Sequence, residues 1–287
     1  MPISLKAAIT LHQPSHTKGS ILLHLNSSNG ARIVHIVVED NDDIDVYGKM
    51  FNHQHVCLYT SETENNLRGC AYLEQIVEDV LKQKPNAYII GIRDADYLRY
   101  VHVNYEPPRS IFVTDQRDLE MMLLSSQNVK HALISWNAHF EQAMTRGFEL
   151  ARYKGLLRIC NDIHQLGCNF KKKFKQSDIW DEHNHKIKPD WKNIMTQTFL
   201  SNCNIPCDKN ILMSIMSSER FETESVYNIC QGHDVIRYLS MLMIRQEYAQ
   251  SAIMSTITQA FDRNDFYKTY LWKEIEKWAR IKDVNLT

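Results

Sequence analysis

Three β-branched runs of this sequence end in carboxylates. Ile33–Val38 leads into Glu39. Tyr88–Ile92 leads into Arg93-Asp94-Ala95-Asp96. Ile111–Val113 leads into Thr114-Asp115, with Asp118 and Glu120 close behind. In a parallel α/β sheet, sites form beyond the carboxyl ends of the strands. If the chain stays extended past Ile92, Asp94 and Asp96 project to one side, because strand side chains alternate. Carboxylates that close repel unless a cation lies between them, and hard oxygens suit Mg2+ or Mn2+. The chemistry expected of Glu39, Asp94 and Asp96 is therefore binding of a divalent ion. Acids at strand ends also cap helices and solvate turns, and Asp43 and Asp118 fit that plainer reading. Asp115 and Glu120 stand between the two, since Glu120 also suits the first turn of a helix.

Other residues carry candidate chemistry. Gly232-His233-Asp234 precedes an apolar helix; a His beside an Asp can serve a scissile phosphate, or either residue can cap the helix. Cys203-x3-Cys207 and Cys230-x2-His233 offer zinc-like donors at loose spacing, and buried reduced cysteines are the bland alternative. Lys171-Lys-Lys-Phe-Lys175 with Lys186, Lys188, Lys192, Trp180 and Trp191 is the best local basic and aromatic patch for a phosphate backbone; a solvated loop competes with it. Phe266–Trp278 has the spacing of a packing helix, with a dimer or ATPase contact as the open alternative.

The elements that position the acids read as α/β. Ser20–Leu25 and Arg32–Val38 look like a hairpin around the Asn29-Gly30 turn. Asp43–Phe51 reads as a short helix and His55–Thr60 as a strand. Cys70–Lys82 is an amphipathic helix, and Ala87–Ile92 and Ser110–Thr114 are strands. That order predicts a mostly parallel sheet in the first half, residues 1–125. From Leu119 onward the periodicity is helical, so residues 126–287 form a helical region for substrate, dimer or partner contacts. The expected helices there are Val129–Phe148, Lys154–Leu166, Trp191–Asn202, Lys209–Ser218, Gly232–Ala260 and Asp262–Ile281, with Asn169–Pro189 a surface loop.

Composition narrows the classes. The chain has 287 residues, 44% hydrophobic and 23% charged, with only 9 Gly and 7 Pro, which argues against long disordered linkers. Lys and Arg number 33 against 34 Asp and Glu, for a formal net charge of −1. Any phosphate-facing surface must then be local, or supplied by metal or a partner. No apolar run approaches a membrane span. The opening Met1-Pro-Ile-Ser-Leu-Lys-Ala lacks a secretory pattern. With seven cysteines, the expectation is a cytoplasmic protein with reduced thiols. No Gly-rich phosphate loop of the Walker type is present, which disfavours an ATPase in this chain.

The pattern Ile36-Val-Val-Glu39-x3-Asp43, followed by Ile89-Ile-Gly-Ile-Arg-Asp94-Ala-Asp96, resembles the TOPRIM domain over residues 31–125. Asp43-x3-Tyr47, Asp94-Ala-Asp-Tyr, Thr114-Asp-x3-Leu119-Glu120 and Gly232-His233-Asp234 are similar to the OLD-like TOPRIM effectors that work beside ABC-type ATPases, such as the nuclease subunit of the PARIS phage-defence system. The resemblance implies a metal-dependent endonuclease, usually dimeric, with tRNA or DNA as target and an ATPase partner. It tips Glu120 toward the site. One departure is Asp40, where the family pattern has Gly. Two other classes stay open: a catalytically idle TOPRIM-like module that regulates a partner ATPase, and a phosphate-transfer enzyme on a small nucleotide.

Overall fold

Val34–Val38 forms strand β1, and all five residues are buried. The computed structural model describes residues 17–27, 32–61, 69–102, 105–244 and 246–287. Strand β1 pairs in parallel with β2 (Val56–Thr60) on one side and β3 (Ile89–Arg93) on the other. β4 (Ile111–Val113) adds in parallel to β3, giving the order β2-β1-β3-β4. A central parallel strand is covered on both faces, which is why β1 reads as an unbroken β-branched run. Because all four strands run the same way, Glu39, Asp94 and Thr114-Asp115 follow strands at one sheet edge.

The chain divides into two compact units. One comprises residues 1–95, 106–115 and 261–287, the other 96–105 and 116–260. The boundary expected near residue 125, where strands give way to helices, is therefore not where the units part. The last two helices, Arg263–Lys268 and Tyr270–Lys282, belong with the sheet.

In the first unit one apolar cluster gathers Ile21, Val37, Tyr59, Leu73, Ile76, Val77 and Ile89. Ile21 comes from a helix, Thr17–Leu25, and not from the expected hairpin strand. Thr17, Ile21 and Leu25 are buried at a spacing of four, a helical stripe. The six apolar-rich residues from Ser20 were too short a run to separate the two periods. The Asn29-Gly30 turn lies outside the described residues. His35, fully buried on β1, meets the Tyr59 hydroxyl at 3.1 Å, and His24 meets the same hydroxyl at 3.2 Å. A second apolar group joins Tyr47 and Phe51 to Phe266, with ring centroids 5.9 and 5.7 Å apart, and Phe266 to Trp272 at 5.5 Å. The expected packing role of Phe266–Trp278 is thus met inside this unit: Phe266, Leu271, Trp272 and Ile275 are all buried.

The second unit is helical around Phe140–His164, which packs against Gly232–Met243. The expected helix Val129–Phe148 is two, Gln127–Trp136 and the start of Phe140–His164, parted at Asn137. Asn137 caps the break, its side chain accepting from His139 N at 2.9 Å. The expected Gly232–Ala260 helix also splits, into Gly232–Met243 and Gln250–Ala260. Within 169–189 two short helices and a two-residue antiparallel pair, Trp180–Asp181 with Lys186–Ile187, replace the expected loop. Among the described residues no helix is long and apolar enough to cross a membrane.

Candidate functional site

Glu39 follows β1 directly, and its carboxylate ties the ends of two strands together. Its Oε1 accepts from the Asp94 backbone N–H at 2.9 Å and from the Cys70 thiol at 3.0 Å. Its own carbonyl accepts from Ser61 Oγ at 3.0 Å. Gly69, at the start of the Cys70–Gln83 helix, would place a Cβ 4.0 Å from Glu39 Oε2, so the carboxylate faces the positive end of that helix. These hydrogen bonds fix the orientation of the carboxylate.

The turn after Glu39 is a helix start. Asp40 has an extended backbone at φ −141 and accepts from the Asp42 and Asp43 N–H groups. The Asp43 carboxylate returns the bond to Glu39 N at 2.9 Å and Asp40 N at 3.2 Å. This reciprocal cap explains why Asp serves where Gly was expected: no left-handed backbone is needed. Asp43 takes the capping role read from the sequence.

Negative charge is dense at this edge. Burial first, then the charges of Asp40 and Glu39, push the Asp43 carboxyl up to about 8, against the backbone N–H groups it accepts. The Tyr47 hydroxyl is buried and, among the described residues, has no hydrogen-bond partner. Burial holds its proton far more tightly than usual, reinforced by the carboxylates of Asp43, Asp94, Asp115 and Glu39.

Asp115 has a definite structural task. Its two oxygens accept the Tyr270 and Leu271 N–H groups, each at 2.7 Å, and so cap the Tyr270–Lys282 helix. The ligand role considered for Asp115 competes with this cap.

Asp96 lies in the second unit and departs from the expected geometry. Strand β3 stops at Arg93, and Asp96 takes a left-handed backbone with φ 46. The extended tip that would put Asp94 and Asp96 on one side is therefore absent. Asp96 N donates to the Arg117 carbonyl at 2.7 Å, and Arg117 Nη2 reaches Asp96 Oδ1 at 3.3 Å. Arg117, which sequence reading passed over, also bonds Asp118 at 2.5 Å and stacks over Tyr97 at 4.5 Å. Its only advance signal was its place beside Asp118.

Glu120 and His233 do come together in the second unit. His233 Nδ1 is 3.3 Å from Glu120 Oε1, with the His side chain 68% exposed and the Glu 13%. Asp118 holds the junction, accepting from Met121 N at 3.0 Å and Gly232 N at 2.9 Å. Only glycine fits at 232: a Cβ there would lie 2.3 Å from Glu120 Cβ. Asp234, by contrast, is buried and bonds Lys154 and Arg158.

The other candidates resolve differently. Trp180 and Trp191 are buried, so they are packing residues rather than an exposed stacking platform. The Lys171 and Lys172 side chains lie outside the described residues. Cys230 is buried against the Phe148 carbonyl, 3.7 Å away. Among the described residues, no group of three or more His, Cys, Asp or Glu side chains could hold a metal ion, so the three-acid cluster expected from the sequence is not assembled. What the first unit does offer, Glu39 and Asp94 at a crowded acidic edge, fits Mg2+ in kind. That ion keeps several waters and takes one or two carboxylates plus substrate phosphate. Comparison with protein-family models and with curated proteins finds no match for this chain.

Proposed function

We propose that this chain is a metal-dependent nuclease that hydrolyses phosphodiester bonds in nucleic acid, tRNA or DNA. Glu39 and Asp94 of the first unit would hold Mg2+ or Mn2+. The observation that carries the reading is the gathering of Glu39, Asp43, Asp94 and Asp115 beyond the carboxyl ends of β1, β3 and β4, with the Glu39 carboxylate on the Asp94 N–H. Such an edge favours a cation. When bound, the ion would polarise a phosphoryl oxygen and make bound water a better nucleophile. The Asp94 N–H and Cys70 thiol orient the Glu39 carboxylate, lowering the entropy lost when it takes a ligand. Asp96, Glu120 and His233 lie in the second unit, and their proposed catalytic roles are tested by substitution. The sequence resemblance adds the proposal of a homodimer working as a phage-defence effector with an ABC-type ATPase.

A second reading has support of its own. Glu39 and Asp115 already serve as hydrogen-bond staples, as they would in a catalytically idle module. Incubation of the purified chain with tRNA, single-stranded DNA and duplex DNA, with and without Mg2+ or Mn2+, separates the two. Metal-dependent cleavage is expected, lost on the order of 100-fold or more in Glu39→Gln and Asp94→Asn. In Glu39→Gln the amide oxygen can still accept the Asp94 N–H, so the fold should persist. Activity undiminished in both variants, or absent from the unaltered protein on every substrate, would overturn the nuclease reading.

A further inference from the structure

The second unit holds a cavity of about 470 Å3, a size suited to a small molecule. Every residue lining it belongs to that unit. One wall is the turn after the Phe140–His164 helix, through Gly167 and Cys168. Its own bonds fix that turn: Asn161 Oδ1 accepts from Cys168 N at 2.7 Å, and Leu166 O accepts from Asn204 N at 2.8 Å. Two arginines line the cavity, and each lies over a ring that lines it too. Arg117 is 4.5 Å from the Tyr97 centroid. Arg158 is 5.1 Å from that of Phe170, which stacks in turn on Phe174 at 4.7 Å. A guanidinium held on a ring is a flat platform for a further planar group.

The polar groups are partly uncommitted. Arg158 gives Nη1 to Asp234, and among the described residues its Nε and Nη2 donate to nothing. Gln231 precedes the Gly232–Met243 helix without capping it, and among the described residues its side-chain amide makes no hydrogen bond. Asp162 is the acid of the lining; Oδ1 accepts from Asn161 Nδ2 at 2.9 Å, and among the described residues Oδ2 accepts nothing. Asp118 and Asp96 already answer the charge of Arg117. The cavity is therefore no simple anion hole. It suits a ligand that combines an anionic group, N–H donors and a flat ring. A bare phosphate would use only the first of these and an apolar ring only the last.

We propose that this cavity binds one nucleotide unit, a base together with its phosphate. The free donors of Arg158 take the phosphate, as a planar fork does. The base stacks on a guanidinium plane, and the Gln231 amide and Asp162 carboxylate read its edge. Two sources carry this chemistry: a free nucleoside monophosphate and a base turned out of a single strand. Lys173 and Lys175, both exposed and close behind Phe170, favour the strand, whose neighbouring phosphates they suit.

The test is calorimetric binding by the full chain in the presence of EDTA, where no metal-dependent cleavage occurs, so its outcome is independent of the nuclease reading. The probes are the monophosphates of adenosine, guanosine, cytidine and uridine, their nucleosides, inorganic phosphate, and single-stranded oligonucleotides of about five residues. A monophosphate or an oligonucleotide should bind with a Kd of about 1 mM or below, and roughly tenfold or more tighter than nucleoside or inorganic phosphate. An oligonucleotide that exceeds every monophosphate by roughly tenfold or more marks the strand as the source, and otherwise the free nucleotide is the source. Arg158→Gln leaves Asp234 paired with Lys154 and should weaken nucleotide binding roughly tenfold or more. Gln231→Ala removes a side chain that bonds nothing among the described residues, so it should stay folded and should narrow the differences among the bases. Neither monophosphate nor oligonucleotide bound at millimolar concentration, nucleotide bound no better than inorganic phosphate, or affinity and base preference unchanged in the folded variants would overturn the proposal.

Discussion

Lys154 and Arg158 stand one turn apart on the Phe140–His164 helix, and both direct their charge at Asp234. Lys154 Nζ is 2.8 Å from Asp234 Oδ1, with the two side chains only 2% and 7% exposed. Burial pulls the Lys154 ammonium down to about 8, although Asp234 opposes this. For Asp234, burial would raise the carboxyl, but Arg158 and then Lys154 hold it below its ordinary range. Two cations therefore share one anion, and the partners are not equivalent. Asp234→Asn leaves two buried cations without their counter-charge and should cost about 3–5 kcal/mol near pH 7. Lys154→Met leaves a balanced Asp234–Arg158 pair and should cost no more than about 1 kcal/mol. The pH dependence has a definite sign. Since the folded value for Lys154 lies below the ordinary 10.5, the unfolded chain binds more protons between about 8 and 10.5. Stability should then rise with pH across that window, by at most roughly 3 kcal/mol. Lys154→Met should lose that rise, and the deficit of Asp234→Asn should shrink as Lys154 gives up its proton. At the acid end, the stability contributed by Asp234 is present above the ordinary 3.8 and is lost as pH falls through its lower folded value. Urea unfolding of the three proteins near pH 7 and near pH 10, followed through the second-unit transition, measures the costs and the alkaline rise, and a series taken below about pH 4 measures the acid loss. Asp234→Asn within about 1 kcal/mol of the unaltered protein near pH 7, or no worse than Lys154→Met, would refute the reasoning.

Gly232→Ala puts a Cβ 2.3 Å from Glu120 Cβ and 2.8 Å from Asp118 Oδ1. It should cost about 1–3 kcal/mol in thermal or urea unfolding, and a change inside experimental error would show that this junction gives way freely. Asp115→Ala removes both acceptors from the Tyr270–Lys282 helix start. It should cost about 0.5–2 kcal/mol, and hydrogen exchange should speed at the Tyr270 and Leu271 amides; unchanged exchange there would speak against the cap. Asp96→Asn and Asp96→Ala separate a turn from a ligand, because Asn tolerates φ 46 and Ala pays about 1 kcal/mol or more for it. Equal loss of metal-dependent cleavage in both variants marks a ligand, whereas activity kept by Asn alone marks a turn.

The parallel sheet was legible because burial on both faces leaves an unmistakable β-branched run, as in Val34–Val38. The amphipathic Cys70–Gln83 helix was legible from its stripe of Leu73, Ile76, Val77 and Val80. Thr17–Leu25 was not, because its stripe rests on two apolar residues and a threonine, with Leu22 and Leu23 filling the spaces as they would in a strand. The return of residues 261–287 to the first unit was also illegible. Periodicity tells which face of the Tyr270–Lys282 helix is apolar but not which core receives it, and Phe266 meets Tyr47 and Phe51 across more than 200 residues of chain.

The acids at the strand ends divide along the same physical line. Position along a strand fixes where a carboxylate emerges, so Glu39 and Asp94 meet at the edge that the strand directions dictate. It does not fix what the next peptide does, and Asp96 turns left-handed where an extended tip was expected. Nor does it reveal whether a carboxylate is spoken for. Asp43 and Asp115 spend their oxygens on backbone N–H groups, a use open to any acid beside a helix start. For Glu39 the staple and the ligand are compatible. The N–H and S–H donors converge on Oε1, and a carboxylate held in this way keeps acceptor capacity while losing conformational freedom it would otherwise lose on binding an ion. A strand-end acid that merely tied β1 to β3 would be served as well by a glutamine amide, which is why Glu39→Gln, folded and assayed with metal, distinguishes the two roles.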